Sequence, residues 1–501
     1  MFMTVTQESV LNLPAASIQR FINTSFVENY GYSPSSYVTT TLWSTVVSIY
    51  IAGKVVSCLF TPKLADKFGR KPTLFIFSNV LSVLASTIMI ISKSVASFEV
   101  LIVGRFIAGV STGMANIVLS VYVSELAPIK HRGFLSSTRG PIAYLLNVGT
   151  LFVSMPFALG NERFWPYLLG LSLLPSTILL CSTPFLPETP SYDLIVRHNY
   201  NRASDTVAKY YNLKSDNSKT SKQSLIEHIL DTIARQHTES DERITWSHIW
   251  IDVSLRKGFI LAIFIGLMRA ADGHYALTTY SSEILHTIGL SKFNAALVTV
   301  AIAAFSAISC CVVIGLIERV GRRPLLLGPL TLGCAAWTLL AVADLHPNAN
   351  WSEVLSLIAI FSFVIVVPFC STVGFFVGAE LVPQNARSLS SSLQMIIISL
   401  AAFVELFLLP ILETLIAGWC YILIFALPLL LIFVVLLRYL PETKQKPIYA
   451  IMNELAAGPY QLRFDWFCRL TNERRESDTC DERQRLLTDN GLYTTKPFDT
   501  N

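Results

Sequence analysis

Asp66-Lys67-Phe68-Gly69-Arg70-Lys71 returns 252 residues later (318 − 66) as Glu318-Arg319-Val320-Gly321-Arg322-Arg323. Two further charged motifs recur at nearly the same offset. Glu125, with Arg132 seven residues on, returns as Glu380 with Arg387 (380 − 125 = 255), and Pro187-Glu188-Thr189 returns as Pro441-Glu442-Thr443 (442 − 188 = 254). Each stands beside a long apolar run. One offset shared by unrelated motifs marks a duplicated unit, and the apolar runs make that unit a membrane one.

Composition agrees. Hydrophobic residues fill 52% of 501 positions and charged ones 14%, against about a quarter charged in soluble domains. A soluble chain this apolar has too little polar surface to cover itself, so most of it faces lipid. The nine cysteines fall mostly in or beside apolar runs without metal-ligand spacing and read as small hydrophobes. The chain holds no nucleophile–base set, metal site or phosphate loop, so the expectation is no enzyme, no cofactor and no nucleic-acid partner. No basic segment followed by an apolar core and a cleavage site opens the chain, so no secretory signal is evident.

Crossing the hydrocarbon layer takes about 20 mostly apolar residues. Eleven stretches qualify: 41–64, 73–91, 98–123, 141–159, 164–186, 259–285, 294–317, 325–345, 355–377, 390–412 and 419–440. The first unit thus shows five spans and the second six. The missing one should precede Thr41, where only 10–22 has a helical apolar pattern too short to cross, so the first span reads as truncated. If the spans alternate, most loop Lys and Arg fall on one side, which is therefore cytoplasmic, as are the N- and C-terminal loops. The sequons at Asn23 and Asn350 fall on the other side and are candidate glycosylation sites. The expected divisions are a first bundle over 1–190, a cytoplasmic loop over 191–257 with an amphipathic helix near 225–236, a second bundle over 258–446, and a polar tail over 447–501 expected to be largely disordered. Glu482 with Leu486-Leu487 in that tail fits an acidic dileucine pattern, though an ordinary solvated tail explains it as well.

These motifs resemble the sugar-transporter branch of the major facilitator superfamily, and within it the animal facilitative glucose transporters. The resemblance covers about residues 9 to 446. It runs through Asn12-Leu13-Pro14, Thr40-Thr41-Leu42-Trp43-Ser44, Asp66 to Lys71, Gly104-Arg105-Phe106, Tyr122 to Gly133, Pro187-Glu188-Thr189-Pro190, Glu318 to Arg323, Ala379-Glu380-Leu381 and Pro441-Glu442-Thr443-Lys444. It implies an all-α polytopic membrane protein of two six-helix bundles around a central cavity, working by alternating access in the plasma membrane. In that picture Asp66, Arg70, Glu125, Arg132, Glu188, Glu318, Arg322, Glu380, Arg387 and Glu442 sit at cytoplasmic helix ends. There they are expected to pair across the bundles only when the cytoplasmic mouth is shut, a device on the few-kcal/mol scale that separates two states. Plain topology anchors are the bland alternative.

The family's sugar-coordinating amides are largely absent. Gly140 stands where the fifth span carries Gln, and Arg269, Ala270 and Tyr275 stand at the seventh-span Gln, Gln and Asn positions. Ser371 to Phe375 replace a Gly/Pro-rich run ending in Trp, and Ile398-Ser399 replace an Asn-Trp pair. Ser306, at an eighth-span Asn position, alone keeps a small polar group. Each amide offers a diol both donor and acceptor. Losing four bonds of about 1 kcal/mol each lowers affinity by several hundredfold. The cavity candidates are therefore Gly140, Arg269, Asp272, Tyr275, Ser306 and Phe375.

Charges take the place of amides. Arg269 and Asp272 lie three apart, so either they neutralise one another on one helix or Arg269 faces the cavity and reads an anionic or strongly polar solute. His274 beside Tyr275 is either a cavity contact or a satisfied structural histidine. Lys54 and Glu405, both mid-span, are expected to pair between the bundles. The first-span register puts Gln7 where proton-coupled relatives carry an acid, with Glu8 one position off, which favours uniport. The reading is a facilitative carrier of a small polar solute, hexose-like by resemblance. The alternatives are a non-transporting sensor and a carrier of a polyol or organic anion.

Overall fold

The computed structural model describes residues 2–127, 135, 138–210, 223, 226–232, 249, 252–287, 289–346, 349, 351–383, 386–444, 446 and 448–457. Among them the chain is helical, and nine helices are long and apolar enough to cross a membrane. We number the spans by the fold they build. Span 2 is Ser36–Phe68, span 3 Pro72–Ser94, span 4 Phe98–Leu126, span 5 Arg139–Val153 and span 6 Trp165–Phe185. Span 8 is Lys292–Val320, span 9 Arg322–Leu345, span 10 Ser352–Glu380, span 11 Arg387–Ile416 and span 12 Trp419–Tyr439. Large apolar side chains such as Leu59, Leu174, Ile178 and Leu431 stand exposed on the outside, as lipid contact requires.

Spans 1 and 7 are the broken ones. Hydropathy reads 10–22 as one short helix, but the structure has a break over 10–14 between two helices, Phe2–Ser9 and Ala15–Tyr30, with Pro14 at the second helix's N-cap. Proline lacks the N–H that would continue the first helix and restricts the residue before it. The first piece buries Met3, Thr4, Thr6, Gln7 and Ser9, a mostly polar set that a hydropathy window passes over. Span 7, expected as one helix over 259–285, is Val253–Ala271 followed by His274–Thr287. Its break at Gly273 stands 259 residues after Pro14 (273 − 14), so the duplicated unit repeats the interruption as well as the charges.

Spans 2 and 4 approach without intervening side chains. A methyl group built on Gly109 would lie 2.0 Å from the Tyr50 carbonyl oxygen, and one on Gly53 2.3 Å from that of Phe106. This is the small-residue packing that drives helix association where water supplies no force. The described residues fall within one compact unit ending at Gly458.

In the loop between the halves, Pro190–Ile195 and Tyr200–Tyr210 are helical. Residues 226–232 are also helical, and Ile229 and Leu230 bury against Ala203 and Val207. The tail differs from expectation at its start. Ile448–Ala457 is a helix that buries Ile451 and Leu455 in the main core, and the Leu455 carbonyl accepts from Lys257 Nζ at 2.8 Å. The remainder of the tail, Arg132 and Asn350 lie outside the described residues, as does the side chain of Glu318.

Candidate functional site

Two matched clamps stand at one end of the halves. In the first, Arg70 Nε lies 3.3 Å from Glu125 Oε1 and its guanidinium 3.4 Å from Asp66. Glu188 Oε1 accepts the backbone N–H groups of Arg70, Lys71 and Thr189 at 3.0–3.1 Å. In the second, Arg322 reaches Glu380 at 3.3 Å, and Glu442 accepts the N–H groups of Arg322, Arg323 and Lys444 at 3.0–3.1 Å. None of these pairs crosses the bundles; pairing across them was expected only with the cytoplasmic mouth shut. These ion pairs run inside each half and tie the ends of its own helices, because Glu188 and Glu442 cap the starts of spans 3 and 9. Arg387, at the start of span 11, has its Nε buried without a partner. Burial pushes the Glu188 carboxyl above its usual range, against the opposing pull of the Lys71 and Thr189 N–H groups.

At the other end the two interrupted spans hold the halves together. Asn12, at the break in span 1, donates from Nδ2 to the Thr278 carbonyl at 2.8 Å and Ser281 Oγ at 2.9 Å. Its Oδ1 accepts from the Ser282 N–H at 3.1 Å, and its carbonyl accepts from Ser282 Oγ at 2.9 Å. Gln19 Nε2 donates to Glu283 at 3.1 Å. A cavity of about 310 Å³ lined by Gln19, Trp43, Tyr280, Glu283 and Glu413 lies beside this clasp. Asn23 sits inside the second helix of span 1, where its Oδ1 accepts from Thr39.

Between clamps and clasp lies a layer of buried charge. Arg105 is 2% exposed and satisfied without an acid: it donates to the Gln7 carbonyl at 2.9 Å, Gln7 Oε1 at 3.2 Å and the Val46 carbonyl at 3.4 Å. Gln7 in turn donates to the Leu169 carbonyl and Ser172 Oγ. Glu8 is the surprise. It pairs with Lys54 at 2.7 Å, where Glu405 was the expected partner. Lys54 also lies 5.5 Å from the centre of the Tyr275 ring in the other half.

The break in span 7 explains where the remaining acids go. A helix beginning at His274 exposes unpaired N–H groups and a positive dipole end. Asp272 Oδ1 accepts from the His274 N–H at 2.9 Å, and Glu405 from the Ala276 N–H at 3.2 Å. Asp272 Oδ2 is 3.5 Å from Ser371 Oγ. Gly273 makes the turn with φ of 80°, and a methyl group there would meet the Trp337 ring at 2.0 Å. Neither the Arg269–Asp272 nor the Lys54–Glu405 pair forms.

Of the sequence candidates, Arg269, Asp272 and Tyr275 come together, and Arg139, Tyr144, His274, Lys54 and Glu8 join them electrostatically. Gly140 instead faces Cys310 of span 8, 3.2 Å from its Sγ for an added methyl. Ser306 is buried in span 8, and Phe375 is 55% exposed. Sequence reasoning missed Arg139, whose guanidinium reaches Asn116 Oδ1 at 2.7 Å. Its signal was a positive charge two residues before the apolar stretch of the fifth span.

The family described as "Sugar (and other) transporter" matches residues 8–455. The mouse solute carrier family 2, facilitated glucose transporter member 9, is 27% identical over 480 residues, covering 94% of this chain and 86% of that one. Chicken facilitated glucose transporter member 1 is 30% identical over 463 residues, covering 90% of each. The partially occluded inward-open xylose transporter XylE from E. coli superposes with a TM-score of 0.68 at 18% identity, covering 88% of this chain and 99% of its own. The chain therefore belongs to the sugar-transporter family of the major facilitator superfamily, as a multi-pass membrane protein.

Proposed function

We propose that the chain is a facilitative uniporter that carries a small polar solute, hexose-like by its relatives, through alternating access of its two halves in the plasma membrane. The observation that carries the uniport reading is Gln7 bound to Arg105. A neutral amide occupies the position where a proton-coupled carrier needs a titrating acid, so no proton need move with the solute. The clamps support the alternating-access reading. Each bonds the helix ends of its own half into a rigid body, with Asp66, Arg70, Glu125 and Glu188 in one and Arg322, Glu380 and Glu442 in the other. The Asn12 clasp is then what opens and closes. Arg132, Glu318 and Arg387 belong to the same motifs and take the same role, at a cytoplasmic face. Glycans on Asn23 and Asn350 belong to the opposite face, and a glycosidase mobility shift lost on Asn→Gln replacement tests them.

The purified chain in liposomes, given labelled glucose with and without an imposed pH gradient, tests the uniport. Uptake indifferent to the gradient supports it. Uptake driven above equilibrium by protons refutes it, and absence of any solute flux favours a non-transporting sensor.

A further inference from the structure

Most buried cations in the two halves have a stated partner: Lys54 has Glu8, Arg70 has Glu125, Arg322 has Glu380, and Arg105 has three oxygens. Arg269 differs. Its Nε, like that of Arg387 at the start of span 11, is buried without a hydrogen-bond partner, and among the described residues it makes no ion pair, but it lies beside the break in span 7 rather than at a helix end of the clamps. The acid three residues on is already engaged, since Asp272 gives its oxygens to His274 N–H and Ser371 Oγ. Span 10 passes against the Arg269 stem, with an added methyl at Gly374 3.4 Å from its Cδ. From the other half comes Arg139, whose one hydrogen bond among the described residues is to the amide oxygen of Asn116. The two arginines flank one seam between the halves: Gly140, next to Arg139, faces Cys310 Sγ, which lies 3.8 Å from Thr372 Oγ1 of span 10, two residues before the Gly374 that packs on Arg269, and the two positive charges act on one another.

A buried cation at membrane depth is costly unless paired or facing a water-filled pathway. Arg269 and Arg139 are half-buried and come from opposite halves; among the described residues no carboxylate is hydrogen-bonded to either, and Asp272 and Glu8 act on them only through space, so their donor forks lack a matched acid. We infer that the central site takes an anionic solute, a carboxylate or similar oxyanion, held between Arg139 of the first half and Arg269 of the second. The planar guanidinium fork matches a carboxylate in two parallel bonds. The ring of Tyr275 and the phenol of Tyr144 stand in the same charge layer and supply apolar walls. Such a solute also links recognition to the transport cycle. An empty site sets two like charges of opposite halves against each other, whereas an anion between them draws the halves together. The inference rests on the carrier reading and specifies its substrate class.

The test uses the full chain in liposomes, with matched labelled solutes: glucose, and the monocarboxylates glucuronate, lactate and benzoate. A potassium gradient with valinomycin sets the membrane potential. At least one carboxylate should enter faster than glucose, and an inside-positive potential should accelerate it, because each cycle moves one negative charge. Arg269→Gln should lower the carboxylate-to-glucose uptake ratio tenfold or more, the scale of a charge-assisted hydrogen bond, and Arg269→Lys should recover part of it. Thermal melts of each variant check folding. Uptake of glucose alone, indifferent to voltage, overturns the inference and leaves the carrier reading standing. Equal loss of glucose and carboxylate uptake in Arg269→Gln also overturns it, since that marks a structural role. If no solute enters and none shifts the melting temperature of the purified protein, both readings fail.

Discussion

The Glu8–Lys54 pair offers the sharpest energetic test of the central layer. The side chains are 16% and 5% exposed and 2.7 Å apart, joining spans 1 and 2 where water is scarce. Removing one partner of a buried pair leaves the other charge uncompensated and costs about 3–5 kcal/mol. Glu8→Gln keeps an oxygen facing the ammonium, so its loss should fall at the low end, about 3 kcal/mol. Lys54→Met strands the carboxylate and should cost as much or more. Replacing both removes charge and counter-charge together, and such double replacements are often neutral. The double variant should therefore sit within about 1 kcal/mol of the unmodified chain, giving a coupling energy of several kcal/mol. Denaturant unfolding of the detergent-purified protein, followed by tryptophan fluorescence, measures all four corners of the cycle. Coupling within about 0.5 kcal/mol of zero, the range expected of independent sites, would refute the pair as a structural element.

Three further outcomes follow from the geometry. Asn12→Ala removes at least three side-chain bonds of the clasp, each worth about 1 kcal/mol net; a cysteine placed at Thr278 should then label about a hundredfold faster with an impermeant reagent, and an unchanged rate would show that the clasp does not hold the halves shut. Gly109→Val should abolish folded expression, because even its first carbon meets the Tyr50 carbonyl, whereas Gly149→Ala, with nothing within 4 Å of the added methyl, should express normally. For Glu188, burial raises the folded-state carboxyl above its ordinary value, so the folded protein binds the proton more tightly than the unfolded chain, and stability falls as pH rises through the window above the unfolded pKa of about 4.5. Glu188→Gln should flatten that fall in melting temperature between pH 4 and 7; an identical slope in both proteins would exclude Glu188 as its source.

Much of the architecture was legible in the sequence because duplication and hydropathy carry over directly into helices. The repeated motifs at 66, 125 and 188 fall at helix ends, and their copies at 318, 380 and 442 do the same. What escaped were the interruptions. The first half of span 1 turns Thr4, Thr6 and Gln7 inward, so its hydropathy is too low to read as a span. The span 7 break depends on a single glycine wedged under Trp337. Once that break exists, it calls for acceptors at His274 and Ala276, and Asp272 and Glu405 are consumed there. That consumption undoes the Arg269–Asp272 pair inferred from spacing and the Lys54–Glu405 pair inferred from facing helices, and leaves Arg269 without an ion pair among the described residues. Glu8 was set aside for being one residue out of register. Its helix ends at Ser9, so periodicity over so few residues did not exclude contact with Lys54.

Alternating access between two matched halves is the central claim, and trans-acceleration measures it most directly. Liposomes holding the purified chain should take up labelled solute faster when preloaded with the unlabelled form, because a loaded carrier returns more readily than an empty one. Equal rates with and without preloading, rising linearly with concentration, would mean an open pore or a leak and would contradict the account.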